Sequence, residues 1–246
     1  MITIDALPGV PEVRPGDDLA ALLAAAAARI GGLEASDVLV VAHKVVSKAE
    51  GRIVRLADVS PGPRAVALAA AHGKDARQIE VVLSESAEVV RADAGRLICR
   101  TRHGFVCANA GVDASNATDP ETVILLPLDP DGSARALRAA LPGNPAVVIS
   151  DSFGRAWRNG QCEIAIGCAG LAPLEDWRGL PDTAGREMRA TVIAIADEAA
   201  AASDLARAKD SREPAIRVRG LTRHVTQDDG PGVTALVRAR EDDLFR

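Results

Sequence analysis

The sequence predicts an α+β fold of mixed sheets with helices, continuous over residues 1–246 and two-lobed. Apolar runs such as Val38–Ala42 and Ala146–Ile149 are fully hydrophobic and short, the signature of strands buried on both faces. Helical patterns lie between such runs irregularly, and some strands follow one another directly, which a doubly wound sheet does not do. No internal repeat or low-complexity linker divides the chain.

In order, a short strand is expected near Ile2–Ile4. Leu7–Glu12 follows, with two prolines and a glycine, and cannot be helix interior. Asp17 or Asp18 should cap a helix running to Ile30, ended by Gly31-Gly32. Val38–Ala42 is a buried strand, and Leu97–Cys99, Val123–Leu126, Ala146–Ile149, Ile164–Ala169 and Ala215–Val218 read the same way. Helical spacing marks Arg64–His72, Ala76–Val90, Ser133–Ala140 and Gly185–Ala206.

Composition narrows the function classes. With 48 % apolar residues the chain can build a core. Its longest apolar run, Leu19–Ala28, is half of what a membrane span needs (about 20 residues). The start, MITIDALPG, lacks the basic and apolar stretches of a secretion signal. Cys99, Cys107, Cys162 and Cys168 form no C-x-x-C pair, so free or buried thiols in a reducing cytoplasm are expected. A net charge of −5, three phenylalanines, two tryptophans and no tyrosine leave neither basic face nor stacking platform for nucleic acid. Basic residues number 29, yet the only lysines are Lys44, Lys48, Lys74 and Lys209, two of them within five residues. Such clustering suggests that a compact ammonium is wanted there.

Four polar clusters sit at the ends of apolar runs. Ser150–Arg155 follows the run Ala146–Ile149 and carries a glycine turn, the position where open sheets present side chains to a ligand. Asp151 and Ser152 offer hard oxygens suited to magnesium or manganese; a turn aspartate capping its own backbone is the alternative. In Asn109–Asn116, small residues surround Asp113, which could join Asp151 on a divalent ion or simply form an Asx turn. In His43–Arg52, a lysine just past a strand can reach phosphates, or the segment is a solvated turn paired with Glu50. Phe153–Gln161 packs arginines and amides around Trp157, either to grip an anion or with Trp157 as a core anchor. No P-loop, G-x-G-x-x-G, G-x-S-x-G or H-E-x-x-H pattern occurs. The residues alone describe a metal-dependent enzyme acting on a phosphorylated ligand, with a phosphohydrolase equally permitted.

The same stretches resemble the coenzyme F420-0:L-glutamate ligase (F420:gamma-glutamyl ligase) family. They are Gly9–Glu12 with Arg14–Leu19, Lys44–Arg52, Thr101–Asn116, Ser150–Gln161 and Asp182–Glu187, in order, over about Leu7 to Gly220. The resemblance implies a ligase that uses GTP to add L-glutamate to a deazaflavin precursor through an acyl phosphate. It implies magnesium or manganese, a monovalent cation such as potassium and an intertwined homodimer; the composition above adds the expectation of no membrane or nucleic-acid partner. Family nucleotide contacts fall on Gly9, Val10, Pro11, Glu12, His43, Lys48, Asn116 and Lys209; metal ligands fall on Asp113, Asp151 and Ser152. Asp113 and Asp151 are the implied catalytic pair.

Two departures stand out. His43 occupies a position where relatives often carry a small hydroxyl residue. The late loop, commonly Met-Gly-Lys with an acidic neighbour in archaeal members, reads Arg207-Ala208-Lys209-Asp210-Ser211-Arg212-Glu213. Ser211 replaces an expected carboxylate ligand there, with Asp210 or Glu213 as substitutes. Alternative readings are a family ligase with another acceptor or amino acid, and a GTP-binding protein without turnover.

Overall fold

The computed structural model describes residues 1–115, 119–208 and 210–243. The first half forms β1 (Thr3–Ala6), α1 (Leu19–Ala28), β2 (Val38–Ala42), α2 (His43–Ala49), β3 (Ile53–Arg55), α3 (Pro63–His72), α4 (Ala76–Ser84), β4 (Ser86–Asp93), β5 (Arg96–Thr101), β6 (Val106–Ala108) and β7 (Thr122–Ile124). The second half adds α5 (Pro130–Ala140), β8 (Ala146–Arg155), β9 (Arg158–Ala169), β10 (Glu175–Asp176), β11 (Val192–Ile193), α6 (Ile195–Asp204) and β12 (Ala215–Arg219). Mixed sheets with helices make this an α+β fold, as expected.

The main sheet has the order β1-β12-β2-β8-β9. Its β2–β8 pair is parallel and the other pairs are antiparallel. Val38–Val41 and Ala146–Ile149 are fully buried, which explains why both read as unbroken apolar runs. Helices α5 and α6 pack against β8 and β9. Gly167 marks where the α5 start touches β9, since a Cβ there would lie 2.4 Å from the Pro130 carbonyl oxygen. The β8–β9 register steps from Ile149↔Gly167 to Ser150↔Ala165, so Ile166 bulges. The Ala165 amide donates instead to Asp197 Oδ1 at 2.9 Å. A second buried cluster, built from residues such as Leu56, Ile79, Leu97, Cys99 and Val123, lies among α3, α4 and the small sheets β3–β7 and β4-β5-β6.

Asp18 caps α1 by accepting the Ala21 amide at 2.9 Å, and Gly31 and Gly32 adopt positive φ beyond its end. The four cysteines are free thiols. No helix among the described residues is long and apolar enough to cross a membrane.

Several boundaries differ from the sequence expectation. The helix read over Ala76–Val90 stops at Ser84, and Ser86–Asp93 is strand. Ser84 and Ser86 hydroxyls donate back to the Val81 and Val82 carbonyls, competing with helix propagation, and Val89-Val90 favours the strand beyond. The helix read over Gly185–Ala206 begins only at Ile195, because Asp182 accepts the Ala184 and Arg186 amides in a turn and Val192–Ile193 pairs with β10. The strand read over Ala146–Ile149 continues to Arg155, its polar second half concealed by side chains turned to the site rather than the core. No glycine turn follows Ile149. Trp157 is not a core anchor: it sits at the β8–β9 hairpin tip with φ +64 and is 85 % exposed.

Candidate active site

Parallel pairing of β2 with β8 aligns Ala42 with Ser150, so His43, where the chain leaves β2, comes beside Asp151, which continues in β8. At that point β2 turns directly into α2, a helix of seven residues, too short for periodicity to reveal. His43 is buried, with Nε2 3.2 Å from Asp151 Oδ1 and Nδ1 3.4 Å from Ser47 Oγ. Asp151 Oδ1 also accepts the Ser152 amide at 2.8 Å.

The next residue, Lys44, reaches across to the second cluster. Its Nζ lies 2.8 Å from Asp113 Oδ2 and donates to Ser115 Oγ at 2.7 Å. The Asp113 backbone is fixed by reciprocal bonds with Ile124, N to O at 3.0 Å and O from N at 2.8 Å. Its carboxylate accepts the Ser115 amide, so the Asx turn is real and coexists with the lysine contact. Burial pushes the Asp113 carboxyl up, but the Lys44 bond, the Ser115 amide and the Lys44 charge outweigh it and hold the group below the ordinary range.

Lys48, on the last turn of α2, is buried and paired with Glu12 Oε1 at 2.5 Å. The alternative of a solvated turn paired with Glu50 is therefore corrected, since Glu50 instead accepts the Ser133 hydroxyl. The Gly16 amide bonds the Ala49 carbonyl at 2.9 Å, which lays the proline-rich segment beside the end of α2. Gly9 (φ +73), Pro11 and Glu12 are exposed there, and Val10 is half-buried. One helix thus carries His43, Lys44 and Lys48, contacting Asp151, Asp113 and Glu12.

Ser152 alternates to the other face of β8 from Asp151. Its hydroxyl donates to Oε1 of the buried Glu163, the residue opposite it on β9. Arg207 Nη2 lies 3.3 Å from Glu163 Oε2, and its Nε bonds Asp204. Sequence reasoning gives no role to Glu163 or Arg207 individually, and a lone glutamate in a strand has no spacing signal. The scarcity of lysine and a place just past a strand mark Lys44 with Lys48, but not its pairing with Asp113. Asn116 and Lys209 lie outside the described residues. Among the described residues no three His, Cys, Asp or Glu side chains form a ready metal cluster.

The family model described as F420-0:Gamma-glutamyl ligase matches residues 9–220. The curated "Coenzyme F420:L-glutamate ligase" of Methanothermobacter thermautotrophicus is 43 % identical over 251 residues, covering 100 % of this chain and 99 % of that protein. Its namesake in Methanopyrus kandleri is also 43 % identical, covering 100 % and 98 %. The Halobacterium salinarum protein of that name is 41 % identical, covering 98 % and 94 %. Full-length likeness at this level, over a chain in which Asp151, Asp113 and Glu12 meet one short helix, establishes that this protein belongs to the F420-0:gamma-glutamyl ligase family.

Proposed function

We propose that the α2 cluster is the phosphoryl-transfer centre of a GTP-driven ligase joining L-glutamate to F420-0. Family membership carries the activity itself, an enzyme that forms an amide between a deazaflavin acceptor and glutamate. The observation carrying the location is the placement of Asp151 and Asp113 against consecutive residues of α2, His43 and Lys44.

The donor set suits magnesium or manganese. It offers carboxylate oxygens without thiolates, and it supplies too few protein ligands for a closed site, leaving positions for water and phosphate oxygens. Asp113 and Asp151 would hold the ion; Ser152, on the other face of β8, would join them only if its side chain came round to the Asp151 face. When bound, the ion supplies charge neutralisation across the β- and γ-phosphates. Lys44, freed from Asp113, and Lys48 add ammonium groups for the same phosphates. The exposed Gly9–Glu12 turn offers backbone and side-chain groups to the nucleotide, with His43, Asn116 and Lys209 as further contacts.

In the reaction the acceptor carboxylate attacks the γ-phosphorus of GTP, the bond to the bridging oxygen breaks, and GDP leaves. The glutamate amine then attacks the carbonyl carbon of the acyl phosphate; phosphate departs with the bonding electrons and the amine proton passes to solvent. Potassium as an assisting cation, a homodimer and a cytoplasmic setting complete the reading. The exposed Trp157 hairpin and the free thiols are consistent with the last two.

The test is one incubation with GTP, manganese or magnesium, L-glutamate and F420-0, followed by mass spectrometry. A glutamate mass gain requiring GTP is expected. No gain in either metal overturns the reading, and phosphate release without glutamate would point to a phosphohydrolase.

A further inference from the structure

The chain contains three phenylalanines and no tyrosine, yet two of those phenylalanines meet in one cleft. Phe105 and Phe153 pack edge to face with centroids 6.4 Å apart, and His103 stacks on Phe105 at 5.6 Å. Beside them opens a cleft of about 330 Å³, bounded by Val106, Ile164 and the Leu236–Arg238 segment. That size is at the lower end of ligand pockets (roughly 300–1,000 Å³), right for one planar ring system rather than a whole nucleotide.

The cleft adjoins the candidate active site. Phe153 stands two residues beyond Asp151 on the same face of β8, and Ile164 lies directly opposite Asp151 on β9. Strand β6, which carries Val106 and Cys107, packs against β8, the strand that carries Asp151. The polar fittings are few and of both signs. Arg100 is ion-paired through Nε with Glu88 Oε2 at 3.7 Å, Arg238 is exposed at the rim, and Asp197 is held by the Ala165 amide. An apolar aromatic floor with a few convergent polar groups is the pattern of a site for a flat heteroaromatic ligand.

We infer that this cleft seats the planar deazaflavin ring of the acceptor, with the anionic, carboxylate-bearing tail extending toward Asp151. The assignment rests on the ligase reading above. It gives the acceptor and the nucleotide separate seats, the ring beyond Phe153 and the phosphates at α2, with their reacting groups meeting at Asp151.

Two rim substitutions test it without disturbing the core, because Val106 is 45 % exposed and Arg238 is exposed. Val106→Glu and Arg238→Glu are each compared with wild type by steady-state kinetics and by titrating the intrinsic fluorescence of F420-0. Each variant is expected to raise KM and Kd for F420-0 at least tenfold, with KM for GTP and for glutamate within twofold of wild type. Wild-type turnover with an unchanged F420-0 KM in both variants overturns the cleft assignment alone. No turnover of F420-0 by wild type overturns the ligase reading and the cleft assignment with it.

Discussion

His43 Nε2 stands 3.2 Å from Asp151 Oδ1 because Ala42 and Ser150, one residue earlier on each strand, are paired in parallel register. Two segments more than a hundred residues apart in sequence are thereby brought to one point by backbone pairing. The candidate site inherits its geometry from the most deeply buried strands of the fold, a rigid base for holding charge in place.

Neutralising either carboxylate separates charge from shape. Asp151→Asn and Asp113→Asn keep size and are expected to lower kcat by roughly a hundredfold or more, the usual scale for removing one electrostatic group from a transfer centre. Circular dichroism should remain near wild type in both, and melting near wild type in Asp151→Asn, while Asp113→Asn loses the stability its depressed carboxyl contributes. Turnover at the wild-type rate in either variant removes that residue from the centre.

Lys48→Ala deletes a buried ammonium beside the Gly9–Glu12 turn. An increase in Kd for GTP of about tenfold, equivalent to ~1.4 kcal/mol, is expected by calorimetry. Unchanged GTP affinity would confine Lys48 to its structural pair with Glu12.

Acid should destabilise the fold through carboxylates held below their ordinary value near 3.8. At the buried Asp37, burial works upward, but the Arg219 hydrogen bond, the Glu34 amide and the arginine charges prevail. A carboxyl whose folded pKa is depressed stabilises the protein above its unfolded value, and that contribution fades as pH falls toward the folded value. Melting temperature is therefore expected to drop below about pH 4. Asp37→Asn should flatten this slope while lowering stability at pH 7; melting curves of variant and wild type that run parallel from pH 6 to 3 would contradict it.

Gly167→Ala would place a methyl group 2.4 Å from the Pro130 carbonyl oxygen, a backbone atom at the α5–β9 contact. The expected cost is about 1–3 kcal/mol, read from urea unfolding. A variant as stable as wild type would mean that α5 shifts freely against the sheet.

The α+β class and the central strands were legible because Val38–Ala42 and Ala146–Ile149 are apolar on both faces, a pattern few other environments produce. The α1 cap was legible for a local reason, the Asp18 carboxylate accepting an amide three residues on. Other elements were hidden by competition between local signals. The α2 helix is a single short stretch after a strand, and the outer half of β8 is polar because Asp151 and Ser152 face partners instead of the core. In Ala76–Val90 one helical pattern runs into a strand without a glycine or proline to separate them.

The candidate site was readable as clusters but not as contacts. Asp113 and Asp151 stood out as acids at the ends of apolar runs, whereas their partners Lys44 and His43 depend on tertiary pairing. Glu163 emerged only because register sets it opposite Ser152. Nothing local in the sequence records such a pairing.

The most direct measurement is a crystal structure with GTP and manganese, the ion located by its anomalous signal. The expected result is a manganese ion touching both Asp113 and Asp151 and a γ-phosphate oxygen, with Lys44 withdrawn from Asp113 toward the phosphates. A manganese–GTP complex bound elsewhere, with these two carboxylates still on Lys44 and His43, would contradict it.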